Sequence, residues 1–367
     1  MIRSKRATPL ALAALLLAPL AAPAQQEPPA GEVREQVEVT EVLLDVLVTD
    51  ARGNVILGLD ESDFVVTEDG KPIELTDVVF YSNRRLLDPA PAASGRRPEV
   101  SEGTEDRYFV LFLDDQRTAA LEAPRLLTQQ MEAVRRARQW VAEELVPGDH
   151  VAVVSYDHKL KVHQDFTTDR AALDAGLAAA AKGKDPGGNW PSRIAGEPGA
   201  SLRAGLPRGN ELRDETTTIY DALQLLARAA GDIRGRKNLL YFGVGFGRLN
   251  SFGQYTPDPR YYDDTVRALN DHNVAFYAVD LTPPGTEHAL SDALNQISGE
   301  TGGKYYFNTT NFLTPLRQVS EENSGYYLLS YTATHPAGAD GFQKVKVAAR
   351  NPEFRVRARE GYVFGQS

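Results

Sequence analysis

The stretch YFVLFLDDQRT, Tyr108 to Thr118, runs six apolar residues straight into two adjacent aspartates, Asp114 and Asp115. A buried strand ending in carboxylates is where an α/β protein can hold a divalent cation, because the ligand crevice of such a sheet lies beyond the carboxyl ends of its strands. Hard cations such as Mg2+ want about six oxygen ligands, mostly from carboxylates, hydroxyls and water. The next residues along the chain suit that task less well. Gln116 is bulkier than a serine, and Arg117 brings a positive charge beside the acids. The alternative is structural: strand-terminal acids held by backbone amides or by that arginine.

Other constellations are missing. GVGFG (243–247) follows an apolar run, as a dinucleotide loop would, but no G-x-G-x-x-G helix opening continues it. There is no phosphate-loop G-x-x-x-x-G-K-[ST], no H-E-x-x-H and no G-x-S-x-G. The six histidines (150, 158, 163, 272, 288, 335) show no helical ligand pairing, and His158 and His163 fall in a short hairpin where they are expected to face solvent. The pair Asp263–Asp264 opens a helical pattern, where the helix dipole favours acids. The tyrosines of RYYDD, KYYFN and GYYLLSY are expected to pack in cores, as aromatic strand residues do. The expectation is a protein that is not an enzyme and carries no organic cofactor.

Two kinds of pattern must position these residues. Val42, Leu44, Val46 and Val48 alternate with their neighbours at strand period, and DARGN and EDGKP supply turns before further strands at Phe64–Val66 and Val78–Tyr81. Residues 33–82 therefore read as a small β segment. A Pro/Ala/Gly/Arg-rich stretch, 83–106, reads as a flexible linker. From 107 to 323 strands alternate with helices, which gives a mostly parallel sheet with helices on both faces. Its first strand is apolar throughout, as a central parallel strand must be. The next helix puts Leu127, Met131, Val134, Val141 and Leu145 on one apolar stripe. LKVHQDF reads as an antiparallel edge strand. Residues 182–214 are rich in Gly and Pro without periodicity, a long insertion of the kind that is functional or disordered. After Ser324 the pattern reverts to strands through 364. In EFRVRARE, Phe354, Val356 and Ala358 are expected to face inward and Arg355, Arg357 and Arg359 to face out, as a solvated or charged sheet face or as a surface for an acidic partner. Neither β segment has strands enough for a core of its own, and about seven together make a β-sandwich. The two are expected to pack together with the α/β unit inserted between them.

The 367 residues, 42% apolar and 25% charged, are ordinary globular material in an amount that suits two domains. A net charge of −10 without clustered Lys and Arg argues against nucleic acid as a partner. Residues 1–24 read as a secretory signal peptide: Arg3, Lys5 and Arg6, then the apolar Leu10–Leu20, then Ala22-Pro23-Ala24 as an A-x-A site with cleavage after Ala24. A polar linker occupies 25–35. Cleavage removes three positive charges and no acid, which takes the mature chain to −13 (−10 minus 3). No later stretch approaches the length of a transmembrane helix, so the mature chain is expected to lack a membrane anchor and to be secreted or periplasmic. With no cysteine there is no disulfide, no thiol nucleophile and no Cys-zinc site.

The order of elements, with FLDDQRT after the first α/β strand, TTTIYDAL opening a central helix and KNLLYFGVGF as the fourth strand, resembles a von Willebrand factor type A domain. The flanking VTDARGNVILGLDESDFVVTEDGKPI and YYLLSYT…REGYV segments resemble the VWFA-related exported proteins of Acidobacteria, and the likeness runs over residues 33–364. The resemblance implies a metal-ion-dependent adhesion site of the pattern D-x-S-x-S, completed by a threonine before the central helix and an aspartate ending the fourth strand. By position Asp114 matches the first acid, Gln116 and Thr118 stand at the two serines, and Thr217 matches the loop threonine, with Thr218 as the neighbouring choice. Val244 stands where the last aspartate would be. Asp114, the Gln116 carbonyl, Thr118 and Thr217 would offer four oxygens to Mg2+ or Mn2+, and Asp115 or Asp280 would add to them. Two departures, one of them a lost carboxylate, make this a degenerate site. The resemblance implies an interaction or adhesion module that binds a protein or surface polymer through its loop face, where Asp115, Arg117 and Thr218 would meet the partner. The other role it implies is a metal-dependent accessory or assembly factor for an enzyme or secretion complex.

Overall fold

A computed structural model describes residues 41–51, 53–82, 106–115, 123–183, 199–286, 288–335 and 341–364. Gln116, Arg117 and Thr118, the signal segment and the 83–105 stretch lie outside the described residues.

The first four strands are β1 (Glu41–Thr49), β2 (Phe64–Glu68), β3 (Lys71–Ile73) and β4 (Asp77–Ser82). The last four are β13 (Gly325–Thr332), β14 (Gly341–Ala349), β15 (Arg355–Arg357) and β16 (Gly361–Phe364). They interleave into two four-stranded sheets, β15-β1-β13-β4 and β16-β14-β2-β3, so each sheet draws on both ends of the chain. Inward residues of both sheets share one core, including Val42, Leu44, Val46, Phe64, Val66, Phe80, Tyr327, Leu329, Tyr331 and Val345. This is the sandwich expected from the two segments. It buries an acid, Glu68, which accepts from Tyr362 Oη (2.5 Å), Tyr331 Oη (3.2 Å) and the Thr334 amide (3.1 Å). Burial pushes its pKa up, but the hydrogen bonds from Thr334, Tyr362 and Tyr331 outweigh that, and the net shift is downward.

Between the segments lies an α/β unit with a six-stranded sheet. Its strands are β5 (Arg107–Asp114), β6 (Asp149–Tyr156), β7 (Leu160–Thr167), β8 (Lys237–Gly243), β11 (Val274–Asp280) and β12 (Tyr305–Tyr306), in spatial order β12-β11-β8-β5-β6-β7. All pairs are parallel except the edge strand β7, which is antiparallel to β6 as expected. In order along the chain this is 3-2-1-4-5-6, the doubly wound arrangement whose strand order reverses between β5 and β8. Helices cover both faces. α1 (Ala123–Glu143), α2 (Arg170–Ala181) and α7 (Leu313–Glu322) pack on one, where β5 supplies Phe109, Leu111 and Leu113. α4 (Ile219–Ala229), α5 (Tyr262–Asp271) and α6 (Ser291–Glu300) lie on the other, where β5 supplies Val110 and Phe112. A two-strand hairpin, β9 (Arg248–Leu249) with β10 (Tyr255–Thr256), comes after β8, and a short α3 (Asn210–Asp214) precedes α4.

Three expectations are corrected. Arg357 and Arg359 do not face water. Arg357 pairs with the buried Glu322 at the end of α7, and Arg359 donates to the carbonyls of Asn270 (2.9 Å) and Leu43 (2.7 Å). They staple the sandwich to the α/β unit, alongside an Asn273–Asp45 hydrogen bond, while Phe354, Val356 and Ala358 pack inward as expected. His163 is buried and bonds Ser155 Oγ at 2.8 Å, whereas His158 is exposed. Leu127 and Met131 are 44% and 61% exposed, and the buried stripe of α1 is Ala133, Val134, Ala137, Trp140 and Val141. The described part of the 182–214 insertion is built into the fold: Leu202, Leu206 and Leu212 are buried against β7 and α4, and Asp165 accepts from Ser201 Oγ (2.6 Å) and the Leu202 amide (2.8 Å).

Candidate functional site

The strand order places the crevice at the carboxyl ends of β5 and β8, and the described candidates gather there. Asp114 is the last residue of β5 and is nearly buried. Leu113 pairs with Phe242, which puts Asp114 beside Gly243 at the end of β8. Tyr241, two residues back on the same strand, lies along that strand end and donates from Oη to Asp114 Oδ2 at 2.5 Å. A Cβ on Gly243 would sit 2.8 Å from Asp114 Cβ and would collide with the Tyr241 hydroxyl. Only glycine leaves room for this contact. Complete burial, with the adjoining Asp114 charge, holds the Tyr241 pKa far above its ordinary value, so the hydroxyl keeps its proton and remains a donor.

The threonine loop arrives from the other side. Thr216 is fully buried: its Oγ1 accepts from the Leu160 amide (3.0 Å) and donates to the Leu212 carbonyl (2.6 Å), and its own carbonyl accepts from Tyr156 Oη (3.2 Å). Thr218 is the N-cap of α4, and its hydroxyl and Asp221 form a capping box. Asp221 Oδ2 accepts from the Thr218 amide (2.9 Å), Thr218 Oγ1 (2.7 Å) and, more distantly, Thr217 Oγ1 (3.3 Å). Asp115 accepts from Gln130 Nε2 at 3.3 Å. Tyr156 stands among these groups. Burial first, then the charges of Asp114, Asp221 and Asp157, push its pKa well up.

Tyr156 lies within electrostatic reach of both Asp114 and Asp221, and each loop's polar groups bond locally. Asp114 is engaged by Tyr241, and the hydroxyls of Thr217 and Thr218 point to Asp221. Val244 is buried in the apolar core. Among the described residues no three His, Asp or Glu side chains come together as a ligand set.

Asp280, a further ligand by the sequence reading, belongs elsewhere. It ends β11, two strands from Asp114, about 10 Å along the same edge. Its carboxylate accepts from the Thr282 amide (2.8 Å), His288 Nε2 (2.8 Å) and Tyr305 Oη (2.7 Å). Burial raises its pKa, but the bonds from His288, Thr282 and Tyr305 outweigh that and lower it overall, so it is ionised. It forms the floor of a cavity of about 770 Å³.

Tyr241, Gly243 and the partners of Asp280, His288 and Tyr305, are the residues whose site roles sequence reasoning missed. The one available signal was Tyr-x-Gly at a strand end, a large side chain two positions before a residue with none.

The same edge also collects exposed apolar side chains. Of eight large ones among the described residues, five lie in segments that leave the carboxyl ends of the sheet: Leu127 and Met131 in the first turns of α1, Leu249 and Phe252 in the β9–β10 hairpin, and Phe307 after β12. Phe252 is 86% exposed.

The chain matches no protein-family model and no curated protein. Solved structures resembling it include BatB from Bacteroides thetaiotaomicron, 13% identical with a TM-score of 0.36, over 59% of this chain and 97% of that one. The ArnB paralog VWA2 from Sulfolobus acidocaldarius is 10% identical with a TM-score of 0.35, over 90% and 76%. The vWF domain of the type V pili tip protein Mfa5 from Porphyromonas gingivalis is 17% identical with a TM-score of 0.24, over 38% of each chain. Likenesses this distant carry no argument about function. The doubly wound α/β fold rests on the strand order, with one antiparallel edge strand. No helix among the described residues is long and apolar enough to cross a membrane.

Proposed function

We propose that this chain is an exported, non-enzymatic interaction module that binds a protein through the loop face at the carboxyl edge of its α/β sheet. The observation that carries the reading is the concentration of exposed apolar side chains on segments leaving that edge, Leu249 and Phe252 above all. A hairpin that presents a nearly bare phenylalanine to water has a reason to do so when a partner covers it. The metal site at Asp114 is degenerate in this reading, and Mg2+ or Mn2+ is not needed for binding. Export follows from the signal segment, with cleavage after Ala24 delivering the mature chain to the periplasm or beyond. Two experiments test the reading. Mass spectrometry of the exported protein should find Gln25 as its first residue; a chain kept in the cytoplasm with Met1 in place overturns export. Envelope extract passed over the immobilised mature chain should leave a protein bound, and Leu249→Ser with Phe252→Ser should lose it while melting at the same temperature. Equal retention by both forms, or a turnover abolished by a single substitution at the rim, overturns the interaction reading.

A further inference from the structure

The cavity above Asp280 is a second site, separate from the crevice at Asp114; it shares Phe307 with the loop face and is otherwise argued apart from that reading. Its floor is rigid. The Asp280 carboxylate fixes the imidazole of His288 through Nε2 and the ring of Tyr305 through its hydroxyl, and it holds the start of the adjoining loop through the Thr282 amide. Its walls are tied to each other. The Gly285 amide donates to Asn308 Oδ1 at 3.0 Å, joining the loop after β11 to the segment after β12, and Ser291 Oγ donates to the His288 carbonyl at 2.9 Å. Asn308 sits at φ 52°, a left-handed conformation that asparagine tolerates better than most residues. The site is preformed, and at about 770 Å³ it lies within the range of roughly 300–1,000 Å³ usual for small-molecule sites.

The lining selects the ligand. Its described residues include two carboxylates, Asp280 and Asp292, and neither Lys nor Arg, so phosphates, carboxylates and acidic sugars are repelled. Around the carboxylates stand short neutral groups that both donate and accept, among them Thr286 and Asn295. On one wall Tyr305 and Phe307 stack, with ring centroids 5.6 Å apart and planes at 29°, and Phe307 is 63% exposed. Its Tyr305 partner is locked by Asp280, so the stack is a fixed apolar face beside a polar floor. A pyranose ring has this complementarity: an apolar C–H face that lies on an aromatic ring, and hydroxyls around its edge that need mixed donors and acceptors. We propose that the cavity binds a neutral saccharide, with Phe307 and Tyr305 as the stacking platform and Asp292 and Asn295 as hydroxyl partners.

Isothermal titration of the mature chain with the neutral disaccharides of glucose, N-acetylglucosamine, mannose and galactose tests this. The cationic arm uses choline and lysine methyl ester, and the anionic arm glucuronate. At least one neutral disaccharide should bind saturably in the millimolar range or tighter. Phe307→Ala, at an exposed position, should weaken that binding at least tenfold, about 1.4 kcal/mol, with an unchanged melting temperature. Asp292→Asn should weaken it less. The Leu249→Ser/Phe252→Ser variant should bind sugar as the wild type does, which separates this site from the loop-face surface. Binding of the cationic probes alone, binding of no neutral sugar, or affinity indifferent to Phe307→Ala overturns the proposal.

Discussion

Asp114 and Asp280 end strands two apart on one edge of one sheet, and both are nearly buried. Asp114 meets a hydroxyl from the neighbouring strand itself: Tyr241 lies over Gly243, with no room for a Cβ beneath it, and donates to the acid. Asp280 meets donors from three places, the Thr282 amide, His288 and Tyr305, and these stand around a void instead of filling it. A carboxylate at a strand end is thus not a site by virtue of its type. What matters is whether its partners come from within the sheet, which seals it, or from loops that diverge above it, which leaves room for a ligand.

The comparison can be broken at the seal. Gly243→Ala forces a methyl group between Tyr241 and Asp114, and overpacking of this kind costs about 1–3 kcal/mol, at the upper end where backbone must move. A melt showing no loss would mean that Tyr241 is not held over the strand end. Next in size is the reconstructed metal site. Gln116→Ser with Val244→Asp supplies the missing hydroxyl and carboxylate, but Val244 is in the core, so the double variant should melt below wild type without metal. Mg2+ at a hundred times its dissociation constant should return about 2.7 kcal/mol, and adding Asp114→Ala should abolish that return.

Smaller effects sharpen the contrast. Tyr241→Phe takes a buried donor away from Asp114, at about 1–3 kcal/mol, whereas Tyr305→Phe should cost less because Asp280 retains His288 and Thr282; paired denaturation curves would show the order. On acidification the sign follows from the lowered pKa of Asp280. Its stabilisation is complete above the usual carboxylate range and disappears as pH falls through the folded-state value. The slope of stability against pH below about 4 should therefore flatten in Asp280→Asn. The smallest expected effect is in the wild type, whose melting temperature should scarcely respond to Mg2+, Mn2+ or chelator. A large shift lost with Asp114→Ala would instead favour the metal-dependent accessory role.

Much of the architecture was legible because it follows from period and strand count. β5 is apolar on both faces because helices cover both, and each β segment alone is too small to close a core. The threonine loop was legible as a helix start, since Thr218 and Asp221 stand at N-cap spacing. What was not legible depends on what covers an element. Alternation told that Arg355, Arg357 and Arg359 share a face, not that α7 and the α5–β11 turn would lie against it. His163 looked exposed because β7 reads as an edge strand, and nothing in its own residues says that α2 packs along it. The apolar period of α1 continues through Leu127 and Met131 beyond the surface it has to cover. At the site, KNLLYFG reads as uniform core, and nothing in its composition says that one hydroxyl reaches the strand end.

The register of β4 with β13 has a further consequence. Ser82 lies directly opposite Gly325, so the chain departs from the sandwich and returns to it at two ends of a single ladder rung. In the language of grafting, the sandwich is a host and the α/β unit a guest carried at a hairpin tip. A two-residue Asn-Gly turn joining Ser82 to Gly325 would close that hairpin with every host strand in register, provided Arg357 and Arg359, freed from Glu322 and the Asn270 carbonyl, are accepted by water. The same hairpin tip is a socket into which another compact domain with adjacent termini could be set.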